Sequence, residues 1–142
     1  MRLGPKALAN RNILPVVDGI GYSLHLGSKF KSGKAVVKKD TFYMKPGDFC
    51  LAETKEIVNI PTDLVGILEG KSSLARKGLT IHITSSRIDP GFNGKIVLEL
   101  FNAGDSTIQL QAGMPIGVLG LEELTDPYEY KGTYCSNNGV KK

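Results

Sequence analysis

Turn chemistry recurs so often along this chain that no architecture of long helices fits it. There are 17 glycines and 7 prolines among 142 residues. Such punctuation favours many short strands joined by turns. Tyr22-Ser23-Leu24-His25-Leu26 alternates with period two and reads as a half-buried strand. Lys34–Val37, Thr41–Met44, Phe49–Glu53, Ile57–Ile60, Val65–Leu68, Ile96–Phe101, Ile108–Leu110 and Ile116–Leu119 read as further strands. Leu79, Ile81 and Ile83 alternate with Thr80, His82 and Thr84 in the same manner. Lys45-Pro46-Gly47-Asp48, Ile88-Asp89-Pro90-Gly91 and Asn93-Gly94 carry turn chemistry. Two short helices fit between the strands. One spans Pro5 to Asn10, with proline in its first turn; the other lies within Gly70–Gly78, capped by Ser72 or Ser73 and closed by Gly78. The expected class is mainly β, a sandwich, jelly roll or distorted barrel with one short internal helix.

Composition sets the remaining bounds. Hydrophobic residues are 41% and charged residues 23%, enough to close one core at this length. Residues 1–125 are expected to form a single β domain. The polar tail 126–142, with Tyr128, Tyr130 and Tyr134, is expected to be mobile unless something docks it. No apolar run approaches the ~20 residues that span a bilayer, and no secretory signal is visible. Cys50 and Cys135 lie far apart, so two free thiols in a reducing cytoplasm are the default and one disulfide stays open. The net charge of +4 is mild. Lys38-Lys39 and Lys141-Lys142 are too short for a nucleic-acid stripe, whereas a small anionic ligand needs only a few placed cations.

Three features carry chemistry. Gly70-Lys71-Ser72 suggests a P-loop, but the position five before Gly70 is Val65 and Gly66 is out of register, so that reading is rejected. A helix N-terminus can still bind phosphate, and Ser72, Ser73, Lys71 and Arg76 stand there; a capped surface helix explains the segment more simply. Glu99 lies in Ile96-Val97-Leu98-Glu99-Leu100-Phe101, a strand apolar on both faces and therefore expected to be buried on both. A carboxylate there is costly unless paired, and burial suits it to acid–base work; a side chain facing solvent or a structural cation is the equal alternative. Arg87-Ile88-Asp89-Pro90-Gly91 reads most simply as an Asx-type turn beside a surface charge. His25 and His82 belong to no metal-spaced cluster, and His82 is expected to be a hydrogen-bonded structural residue. The zinc deaminase signature and a strained nucleophile elbow are both missing.

Taken together, the motifs Gly70-Lys-Ser-Ser-Leu-Ala-Arg-Lys-Gly78, His82-Ile-Thr84, Arg87-Ile-Asp-Pro-Gly-Phe-Asn-Gly94, Ile96-Val-Leu-Glu-Leu-Phe-Asn102 and Gly113-Met-Pro-Ile-Gly117 resemble dCTP deaminase of the trimeric dUTPase superfamily. The likeness runs from about Phe42 to Leu119. It implies a distorted jelly roll assembled as a homotrimer with sites between subunits. It implies zinc-free hydrolytic deamination of dCTP to dUTP and ammonia, feeding dUMP and dTTP synthesis in the cytoplasm, with Mg²⁺ accompanying the triphosphate. The family's water-activating acid falls on Glu99. Its phosphate and catalytic-water contacts fall on Ser72 and Arg76, and the Asp against sugar and base falls on Asp89. Arg87 matches members that only deaminate. The resemblance also assigns nucleotide contacts to Lys71, Ser73, Ile83, Val97, Tyr128 and Asn137, with the tail as a lid.

Lys71 replaces a usual Arg, Ser23 a usual Asp and His25 a usual Arg, while Thr133 stands where a Lys would touch triphosphate. The chain is shorter than typical members, and such compaction suits a phage or viral source. A dUTPase, or a bifunctional enzyme taking dCTP to dUMP, is the alternative activity, with Asp89 activating water. A non-catalytic sensor of dCTP, dUTP or dTTP on the same scaffold is the alternative class.

Overall fold

A computed structural model of the chain describes residues 1–140, with residues 137 and 138 described by their backbone. The described residues form α1 (Pro5–Arg11), β1 (Val17–Asp18), β2 (Gly21–Ser32), β3 (Ala35–Lys38), β4 (Thr41–Met44), β5 (Phe49–Asn59) and β6 (Leu64–Gly70). They continue with α2 (Ser72–Ala75), β7 (Leu79–Thr80), β8 (Arg87–Ile88), β9 (Asn93–Asn102), β10 (Ile108–Gln111), β11 (Pro115–Glu123) and β12 (Ser136–Asn138). The protein is mainly β, as its turn chemistry implies. Ten strands share one curled sheet whose spine runs β12-β9-β5-β2-β11-β6-β8, and β4 with β10 makes a separate antiparallel pair. Neighbours along the spine are far apart in sequence, so the sheet is built from long-range pairing.

The core lies inside the curl. Leu24, Leu26, Phe30, Leu98, Leu100, Leu110, Ile116 and Leu119 are fully buried there, each leucine contributing about 1.5–3 kcal/mol by leaving water. Phe30 and Phe42 stack with centroids 4.4 Å apart. The helix α1 caps one end, where the Tyr22 hydroxyl, buried in β2, donates to the Leu8 carbonyl.

Several strands depart from the sequence reading, each for a physical reason. The segments 49–53 and 57–60 do not form two strands. They are one strand, β5, bulged between Glu53 and Ile57 as it pairs with β9. The bulge is stitched from within: Thr54 Oγ1 donates to the Glu56 carbonyl and accepts from Ile96 N–H. The Glu56 carboxylate accepts the His25 backbone N–H and sits 2.9 Å from His25 Nδ1. The strand around Tyr22 is buried on both faces rather than half-buried, and α1 packs against it through Tyr22 and Leu8. Asn93-Gly94 opens β9 instead of turning, since β5 pairs with both residues. The alternation after Leu79 stops as a strand at Thr80, and Ile83 is exposed.

Candidate active site

β9 buries Ile96, Leu98 and Leu100 on its inner face, while Val97, Glu99 and Phe101 on the other face are only half-buried. The expectation of burial on both faces is thus corrected: the outer face opens on a cleft. Glu99 instead looks into a cleft of about 780 Å³, within the size range of small-molecule sites. β7 and the chain after it run antiparallel alongside this residue. Thr80 Oγ1 donates to the Glu99 carbonyl at 3.1 Å, and Glu99 N–H donates to the Ile81 carbonyl at 3.0 Å. At the tip of the side chain, Ile83 N–H donates to Glu99 Oε1 at 3.0 Å. Thr84, the next residue, has φ +64°, a left-handed conformation that a β-branched side chain resists. Backbone strain is therefore stored beside the amide that orients the carboxylate.

β8 and the turn after it supply the next wall. Pairing of Gly66 with Ile88 and Ile67 with Arg87 fixes the strand. Gly91 takes φ +84° and its N–H donates to the Ile60 carbonyl, which turns the chain back towards β9. Asp89 and Arg87 both line the Glu99 cleft, and Arg87 Nε donates to Asp89 Oδ1 at 2.7 Å. The Arg87 side chain is 70% exposed and that of Asp89 22%, so the cation is free to meet a ligand while its partner is held. The turn closes through Phe92 N–H to the Asp89 carbonyl, and the Asp89 side chain bonds Arg87 rather than local backbone, which corrects the Asx-type reading.

Part of the tail lines the cleft. Tyr130 N–H donates to the Pro90 carbonyl at 2.9 Å, and β12 adds to the edge of β9 in parallel, Ser136 opposite Asn93. Tyr130, Thr133, Tyr134 and Ser136 line the cleft. The expectation of a mobile tail is answered by this docking. Tyr128 lines an adjoining hollow with Arg87 and Asp89, and Val97 lines the Glu99 cleft itself. The side chain of Asn137 lies outside the described residues.

The helix residues stand elsewhere. Lys71, not a serine, is the N-cap of α2. It is extended, and no side chain caps the helix, which corrects the assignment of Ser72 or Ser73 as cap. Gly78 does close the segment, with φ +96°. Ser72, Ser73 and Arg76 are exposed and do not line the Glu99 cleft, and Lys71 Nζ lies 3.7 Å from Asp18 Oδ2. One chain therefore brings together Glu99, Ile83 N–H, Val97, Arg87 and Asp89, and leaves the cations and hydroxyls of α2 outside. Among the described residues no group of three or more His, Cys, Asp or Glu side chains is placed to hold a metal ion. His82 is not hydrogen-bonded through Nδ1, which is buried with no partner among the described residues. Cys50 and Cys135 are free thiols, and burial pushes that of Cys50 up to about 11.

Sequence reasoning missed Tyr130 as a wall of the cleft and Glu53 as a buried carboxylate, 2% exposed. Tyr130 was visible only as a tail aromatic. Glu53 is explained by its partners Lys95 and Val140, and Val140 lies 87 positions away, so no local pattern marks it.

Known proteins agree with this architecture. A dCTP deaminase of Idiomarina loihiensis is 50% identical over 97 residues, covering 68% of this chain and 50% of its own. The chain thus spans about half the length of that relative. The solved dCTP deaminase of Agrobacterium tumefaciens superposes with a TM-score of 0.74 at 15% identity, covering 89% of this chain and 49% of its own. The native dUTPase of EIAV superposes with a TM-score of 0.54 at 23% identity, covering 75% of this chain and 95% of its own. Both share the curled sheet, so the fold is dUTPase-like. The sequence matches the dCTP deaminase-like family over residues 24–124, which hold β5, β8, β9 and, of the cleft, Arg87, Asp89, Val97 and Glu99; the chain belongs to that family.

Proposed function

We propose that the protein deaminates dCTP hydrolytically, giving dUTP and ammonia. The observation that carries this reading is the Glu99 carboxylate, fixed by Ile83 N–H at 3.0 Å inside the cleft that Arg87 and Asp89 also line. One oxygen accepts that amide, which leaves the other to take a proton from water. The water oxygen bonds to C4 of the cytosine, and Glu99 passes the proton to the ring nitrogen or the leaving amine. The C4–N bond then breaks and ammonia departs, so dCTP and water balance dUTP and ammonia. The acid, rather than a zinc ion, activates the water. Mg²⁺ enters with the triphosphate as part of the substrate.

The remaining groups take positions around that step. Arg87 holds Asp89 against the sugar and base edge, while Val97 and Ile83 form the walls. Arg76 and Ser72 stabilise charge around the tetrahedral carbon, and Lys71 and Ser73 meet phosphate. These four lie outside the cleft of their own chain, so they serve a site only when presented to another copy. A homotrimer with its sites between subunits meets that requirement. Residues 126–142, carrying Tyr128 and Asn137, act as the lid of a single β domain, 1–125. Deoxynucleotide substrate places the reaction in the cytoplasm.

The dUTPase alternative asks Asp89 to activate water with the oxygen that Arg87 leaves open. Product analysis decides between them. Purified protein with dCTP and Mg²⁺ is expected to release ammonia and dUTP in equal amounts. Formation of dUMP and pyrophosphate, or dCTP binding with no ammonia, overturns the proposal.

A further inference from the structure

β5 carries a second carboxylate that the deamination does not use. Glu53 sits where the β5–β9 register shifts, and its side chain does not line the Glu99 cleft. At 2% exposure a carboxylate is costly to bury unless charge and lone pairs are met. Lys95 Nζ lies 3.5 Å from Oε1, and Val140 N–H donates to Oε2 at 3.0 Å. The carboxylate thus joins the middle of the sheet to the end of the tail.

Gly139 is fitted to it. Its φ is +91°, and a Cβ built there would stand 1.6 Å from Glu53 Oε2. Any side chain at 139 evicts either the carboxylate or the tail. Just before it, β12 holds to β9 by three residues of parallel pairing at a sheet edge, a weak attachment by itself. Yet Thr133, Tyr134, Ser136, Gly139 and Val140 all line the Glu99 cleft.

We propose that Glu53 is a positioning residue, the latch that holds residues 133–140 over the Glu99 cleft. Lys95 balances its charge and Gly139 gives it room. Its effect on the tail stands alone, and its effect on nucleotide rests on the deaminase reading. The test measures hydrogen exchange of the 136–140 amides in the full chain, with KM and kcat for dCTP. Glu53→Ala and Gly139→Ala are expected to speed that exchange by about 10- to 100-fold, the loss of one hydrogen bond to a charged group. Exchange of the β9 amides beyond the β12-paired residues 93–95 should stay unchanged. KM should rise about tenfold or more on the same reasoning, with kcat moving less. Glu53→Gln keeps an oxygen for Val140 N–H and should recover part of both effects. If Glu53→Ala fails to fold, Gly139→Ala, which keeps both partners of the Glu53–Lys95 pair, decides. Unchanged tail exchange in Gly139→Ala, or in folded Glu53→Ala, overturns the latch. Faster exchange with unchanged KM overturns the positioning role. A protein that never deaminates dCTP still answers the exchange test, so the two readings fail separately.

Discussion

Glu99→Gln separates the chemistry of the carboxylate from its architecture. The amide has the same shape and keeps an oxygen to accept Ile83 N–H, now made at 3.0 Å. The chain running from Ile81 to Ile83 is therefore retained, as are the backbone bonds of Glu99 to Ile81 and Thr80. What disappears is the ability to take a proton from water. A positioned base contributes about 10²–10⁴-fold, which at ~1.36 kcal/mol per decade is about 3–5 kcal/mol of activation free energy. The assay is ammonia release from dCTP at saturating Mg²⁺, paired with a thermal melt. kcat should fall by that factor of about 10²–10⁴, with KM nearly constant and Tm unchanged. Glu99→Ala should add a loss of stability of about 0.5–1.5 kcal/mol, because the Ile83 bond goes too. A Glu99→Gln protein working at the wild-type rate refutes the reasoning, since no other carboxylate in the cleft is free of a cation partner among the described residues.

Three further outcomes follow from the structure. Gly78→Ala combines a φ of +96° with a Cβ 2.3 Å from the Gly104 backbone nitrogen; left-handed strain and overpacking should cost about 2–5 kcal/mol, read as a lower denaturation midpoint. The Cys50 thiol is raised to about 11 by burial, so the folded state keeps a proton that the unfolded chain loses. Stability present below the ordinary thiol range should be lost as pH climbs towards about 11, and Cys50→Ala should flatten that part of the pH–stability curve. Asp63 is held below its usual range by the hydrogen bond from Arg11, with Arg11 Nη2 2.7 Å from Asp63 Oδ1. Its contribution is present above the ordinary carboxylate range and lost as pH falls through the lowered value. Because the pair is solvent-exposed, Asp63→Asn should cost under about 1 kcal/mol at neutral pH and erase that acid-side loss.

Local chemistry was legible in most places where one element sufficed to satisfy it, the cap of α2, Lys71 rather than a serine, being the exception. Proline in the first turn marked α1, which runs Pro5–Arg11. The Lys45–Asp48 turn closes through Asp48 N–H to the Lys45 carbonyl and Lys45 N–H to Asp48 Oδ2, as its residues imply. The apolar run around Glu99 became the long strand β9. Errors arose where a distant partner decided. The β5 bulge hid a single strand behind two apolar pieces, and pairing with β5 turned Asn93-Gly94 from a turn into strand. In the site, the family resemblance pointed to Glu99, Arg87, Asp89 and Val97, which share one cleft. It grouped Lys71, Ser72, Ser73 and Arg76 with them, and a single chain keeps those apart.

Residue order alone determined the alphabet of this protein: short extended pieces, tight turns and an acid set in an apolar strand. Those choices rest on backbone conformation and alternation, which each stretch of chain carries with it. Tertiary structure decided which face of β9 meets a core and which meets a cleft, that the tail docks, and that a carboxylate at 53 meets an amide at 140. Burial and hydrogen-bond partnership depend on distance in space. In a sheet whose neighbours are remote in sequence, that distance exists only after the strands have paired.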